Sequence, residues 1–155
     1  MSQPLDESQT QRWQQRFASL ANNRAWELSL LDRTPAQDRE MLDAAHASAW
    51  HWSAIGVELN RQRATMLLAQ VHALLGDGPT ALRYAQEMHD YFVGRDTPDW
   101  ELAFTHAIHA HAAHAAGAVD LHRAAYARAV TALQAVADDE DRRIVAQTFH
   151  QVPVP

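Results

Sequence analysis

At 155 residues the chain has the length of a single domain and can bury a core without disulfide or metal staples. Its composition, 47% hydrophobic and 21% charged, is that of a globular protein and excludes a disordered or collagen-like chain. There is no cysteine and every one of the 13 Lys+Arg is arginine, so thiolate metal sites, cysteine nucleophiles and Schiff-base or phosphate-cradling lysines are excluded. The net charge of -6 argues against nucleic acid and anionic membranes as partners.

Alanine-rich windows with abundant Leu, Arg, Gln and Glu make helix the favoured backbone state, and Gly and Pro fall almost wholly between those windows. The pattern predicts an all-α fold. A first helix is expected over residues 8–31, with Asn22-Asn23 as a break, a stripe of Trp13, Phe17, Leu20 and Ala21, and Thr34-Pro35 as its close. A second follows over 36–55, where Asp38 and Glu40 suit the positive helix start and Gly56 marks the end. A third over 58–75 stops at Gly76-Asp77-Gly78-Pro79, and Pro79 occupies the first turn of a fourth that ends near Val93-Gly94. Thr97-Pro98-Asp99 opens a fifth over 99–116, and Gly117 separates it from a sixth over 119–137. The acidic run Asp138 to Asp141 starts a short last helix to Phe149, and the residues after it are expected to trail off extended. No leader-like start and no apolar run of roughly 20 residues are seen, so the expectation is a soluble, cytoplasmic protein with no membrane partner.

Two segments align on their glycines, LLAQVHALLGDGPTALRYAQEM at Gly76 and IHAHAAHAAGAVDLHRAAYARA at Gly117. Small residues seven before and five after Gly76, Ala69 and Ala81, and the corresponding Ala110, with Tyr126 and Ala129 further on, resemble the tetratricopeptide-repeat (TPR) family of helical hairpins. The pattern is degenerate: His122 stands where a small residue belongs, Ala85 where an aromatic does, and the helix-start tryptophan positions hold Thr65 and His106. The chain is also similar in general to uncharacterised bacterial proteins of this kind. The resemblance implies antiparallel hairpins stacked as a short right-handed solenoid of about six main helices plus a short last one. Its units would be an irregular hairpin over 1–57, TPR-like hairpins over 58–94 and 98–137, and a cap and tail over 138–155.

Ten histidines are many for this length, and His106, His109, His111 and His114 crowd one helix. At 100° per residue they split into two pairs one turn apart instead of sharing a face. Projected onto the TPR-like pattern, His106 and His109 pack inside the hairpin, whereas His111 and His114 line a groove. Near the end of the second helix His46, Trp50, His51 and Trp52 cluster, with the tryptophans read as core, and Trp100, Phe104 and Ile108 form a packing stripe. Asn60, Arg61 and Arg63 open the third helix, where the arginines can pair with nearby carboxylates or Arg63 can grip an acidic ligand. No nucleophile elbow, phosphate loop or arginine stripe for nucleic acid is present.

The functional expectation is a non-catalytic binding or scaffold module without a cofactor, carrying a peptide, partner protein or small acidic ligand in a concave groove. The resemblance places Arg63, Met66, Gln70, Phe104, His111 and His114 in that groove. The alternative is a small helical metalloprotein or enzyme. It would use His111 and His114, with His46 or Asp43, as ligands for zinc or nickel or as an acid–base pair. Open ends of a short hairpin stack also admit a homodimer.

Overall fold

The computed structural model describes residues 6–155 and is all-α, with no strand among those residues. Seven helices follow in chain order: α1 (Glu7–Ser29), α2 (Pro35–Ile55), α3 (Glu58–Leu74), α4 (Gly78–Val93), α5 (Asp99–Ala115), α6 (Val119–Ala135) and α7 (Asp139–Phe149). Their ends follow local chemistry. Asp6 with Gln9 and Thr34 with Gln37 form reciprocal capping boxes at the starts of α1 and α2. The Asp138 side chain accepts from the amides of Glu140 and Asp141 to start α7. Thr34-Pro35 therefore opens α2 instead of closing α1. What closes α1 is Arg33, whose guanidinium donates to the carbonyls of Leu28, Ser29 and Leu31 and to Asp38 at 2.7 Å. Asn22-Asn23 does not break α1, which runs through both residues.

Consecutive helices pack against one another in antiparallel fashion from α1 to α6. α3 also touches α1 and α5, and α7 lies on α5 and α6. This leaves α3 and α5 surrounded, so nearly every residue of Ala64–Ala73 and Thr105–Ala113 is buried. A helix enclosed on most sides shows little amphipathic periodicity, as the flat, alanine-rich reading of α5 does. Small side chains make the close fit possible: Ala69, Ala81, Ala110 and Ala125 are completely buried. Larger groups fill the space between crossings. Met66, Met88, Phe92 and Ile108 form one cluster, and Leu28, Met41, Leu67 and Val71 form another. Each such side chain contributes roughly 1.5–3 kcal/mol on burial.

Gly76 and Gly117 take φ of 78° and 71°, the left-handed turns expected at α3–α4 and α5–α6. Gly78 is constrained differently. A Cβ there would run into the backbone of Ala115 and Ala116, so the start of α4 meets the end of α5 at glycine distance. Gly76→Ala, where a Cβ would meet nothing, should cost about 1–2 kcal/mol through its φ alone. Gly78→Ala should cost about 1–3 kcal/mol through overpacking and should also weaken the α4–α5 contact. Urea denaturation gives both costs, and amide exchange at the end of α5 should accelerate only in the Gly78 variant.

Candidate functional site

An opening in the surface with a volume of about 370 Å³ lies where α1, α2, α3 and α5 meet. Its walls are mainly aromatic: Trp26 from α1, Trp52 from α2, and Trp100 and Phe104 from α5, with Met66 from α3. Trp26 and Phe104 pack at 5.7 Å and Trp100 and Phe104 at 6.3 Å, so the rings brace one another. Ser19, Asn22, Asn23 and Asn60 line it with polar groups. The Asn60 carbonyl accepts from the Val57 amide at 3.3 Å, and Asn22 donates to Asn23 at 3.4 Å. Among the described residues the Asn60 NH2 group and the Asn22 carbonyl make no hydrogen bond. They are therefore left to face whatever enters.

The two charged lining residues neutralise each other. Arg63 Nε donates to Glu101 Oε1 at 2.6 Å and Nη2 donates to Oε2 at 3.1 Å, a bidentate pair joining α3 to α5. Glu101 is only 2% exposed, and the Arg63 guanidinium lies 5.7 Å from the Trp100 ring. The carboxylate of Glu101 raises the Arg63 pKa above its ordinary value, chiefly through this hydrogen bond. The arginine is therefore committed to its own chain.

Of the six groove residues, Arg63, Met66 and Phe104 line this opening, and Gln70, His111 and His114 do not. Gln70 is fully buried and donates to Gln151 at 3.1 Å, while Gln151 donates to the Ser29 carbonyl at 2.7 Å. Val152, 4% exposed, packs among Ala107, Ala110, Ala125 and Ala129, and His122 Nε2 donates to the Pro153 carbonyl at 2.8 Å. The residues after α7 thus turn back over α3, α5 and α6 instead of trailing away. Sequence reasoning missed this because Gln-Val-Pro carries no local signal for a tertiary hydrogen bond.

The histidines also distribute differently from expectation. His106 and His109 are near Arg128 of α6, their hairpin partner, and they also meet α4. They face His89 of α4, with ring centroids 5.6 and 4.4 Å away. His111 is buried, and His114 is exposed and rests on His122 of α6, with centroids 5.0 Å apart. The alternative metal set does not assemble, because His46 and Asp43 lie on α2, which makes no contact with the α5 of His111 and His114. Among the described residues no three His, Asp or Glu side chains are grouped to hold an ion. Trp50, read as core, is 66% exposed, and Trp13, Phe17 and Leu20 stay half exposed on α1. Among the pocket residues that sequence reasoning did not assign to a groove are Asn22 and Asn23, read as a helix break, and Trp26, one turn further along α1. An Asn-Asn pair one turn before a tryptophan was the available signal.

No family model, curated protein or solved structure matches the chain.

Burial pushes the pKa values of His106, His109 and His111 down to about 4, with neighbouring imidazoles adding to the effect. His89 is lowered by burial and by Arg128, with Asp90 opposing. In the unfolded chain these rings take up protons below about 6.5, so between there and about 4 the unfolded state binds more protons. Their contribution to stability is complete above about pH 6.5 and falls as the pH drops through that window, by on the order of several kcal/mol. The urea midpoint should be level from pH 7 to 8 and decline steadily below 6.5. Both ring nitrogens of His109 are buried without partners. His109→Leu should therefore change stability at pH 7 by less than about 1 kcal/mol and make the acid decline shallower.

Proposed function

We propose that this chain is a non-catalytic, TPR-like binding module that holds a segment of a partner protein in the pocket between α1, α3 and α5. Several features support reading the seven helices as a short right-handed solenoid of hairpins. α1, α3, α5 and α7 neighbour one another in succession, α2 rests on α3 and α4 on α5. The turns at Gly76 and Gly117 have the same handedness, and the alanines at the crossings are completely buried. On that reading the first helix of each hairpin contributes to the groove, as the pocket lining does.

The observation that carries the functional reading is the pairing of Arg63 with Glu101 inside an aromatic pocket edged with amides. An acidic ligand would need a free guanidinium, and this one is held bidentately by a buried carboxylate. An apolar or aromatic side chain finds three tryptophans, a phenylalanine and a methionine, while the asparagines offer the donor and acceptor that a peptide bond requires. A carboxylate-bearing small molecule is therefore the weaker of the expected ligands.

Trp26, Trp52 and Trp100 make the pocket its own reporter. An array of 12-residue peptides probed with tag-free protein should select sequences sharing one large apolar residue, and those peptides in solution should shift tryptophan emission. Ser19→Trp, at an exposed position on the pocket wall, should keep the helical content and lower the affinity at least tenfold, whereas His114→Ala should leave it unchanged. Selection of acidic peptides without a shared apolar residue, or equal affinity in Ser19→Trp, would contradict the assignment.

A further inference from the structure

Away from the pocket, His46 of α2 and His72 of α3 point their Nε2 atoms at each other at 3.1 Å, with the rings edge to face at 84°. His72 is almost buried and lies 5.8 Å from the Tyr84 ring. Its other nitrogen, Nδ1, is 3.1 Å from Asp77 Oδ2, at the start of α4. A carboxylate at Nδ1 favours the tautomer that carries its proton there, and this turns the Nε2 lone pair toward His46. His46 is exposed as a residue, whereas its contact with the buried His72 is partly buried. Asp43, one turn before His46 on α2, contributes negative charge to the same place.

An ion binding two imidazoles at about 2.0–2.1 Å holds their nitrogens roughly 2.9–3.4 Å apart, from square-planar to tetrahedral angles. The observed separation falls inside that range. A carboxylate on the far nitrogen of a ligating histidine is the usual outer partner in imidazole–metal sites, fixing the ring and raising its basicity.

We propose that His46 and His72 form a two-imidazole site for a divalent transition-metal ion of the zinc, nickel and copper group, oriented by Asp77 and completed by water. The ion would replace the proton shared between the rings and clamp α2 to α3. Sequence reading placed His46 with His111 and His114, because the residues that meet it, His72 and Asp77, are distant in the chain and come together only through the α3–α4 turn.

Tag-free protein titrated with Zn2+ against a chromophoric chelator should bind one ion at this site and show a higher melting temperature. His46→Ala removes an exposed ring, so the fold should persist by far-UV circular dichroism, while the affinity falls at least tenfold and the melting shift disappears. Asp77→Asn preserves a good helix cap and should weaken binding 10–100-fold without removing a ligand. His150→Ala, which deletes an exposed imidazole elsewhere, should match the wild type. If His46→Ala does not fold, the contrast between Asp77→Asn and His150→Ala decides. Absence of zinc binding in the wild type, or unchanged affinity in the two site variants, would mean that the rings merely share a hydrogen bond and would overturn the proposal.

Discussion

Glu101 is an almost fully buried carboxylate, and the structure depends on what holds it. A carboxylate taken out of water in this way is tolerated only with a charged, hydrogen-bonded partner, and Arg63 supplies two bonds to it from the neighbouring α3. That pair fixes the separation of α3 and α5 at their N-terminal ends. It also seats Arg63 near Trp100 and cancels the charge of the pocket it borders. An opening that would otherwise attract anions becomes an aromatic cavity with an amide edge.

The other half of the α3–α5 surface is treated in the opposite way. Gln70 is fully buried and its NH2 group donates to Gln151, leaving its Oε1 unpaired, while Gln151 ties down the end of α1 through the Ser29 carbonyl. Val152 then covers alanines of α5 and α6 that would otherwise face solvent. One stretch of helix surface is thus divided into an open pocket and a segment closed by the chain's own residues.

The helices were legible because Gly, Pro and capping residues act locally. Thr34, Gly76, Gly117 and Asp138 fix where elements start or turn without reference to the rest of the chain. Side-chain direction on α5 was much less legible. A helix enclosed on most sides has no polar face to give its orientation, so His89 of α4 was not foreseen as the ring neighbour of His106 and His109, and His111 and His114 were expected in a groove but do not line the pocket. Within the pocket, Arg63, Met66 and Phe104 could be placed by the hairpin pattern. Trp26 and the two asparagines could not, because their role depends on how α1 lies across α3. Arg63 was recognised as able either to pair or to bind, and only the position of Glu101, far along the chain, decides between those uses.

The most direct test of this account is a double-mutant cycle on the ion pair, replacing Arg63 by Met and Glu101 by Leu singly and together and measuring unfolding in urea. Arg63→Met leaves a buried, unpaired carboxylate and should lose about 1–3 kcal/mol, allowing for the partial exposure of the guanidinium. The double variant, with neither charge, should be at least as stable as that single variant, giving a coupling of roughly 1 kcal/mol or more. Additive losses, within about 0.5 kcal/mol, would show that the two residues act independently and that the pocket is not held closed to charge by their pairing.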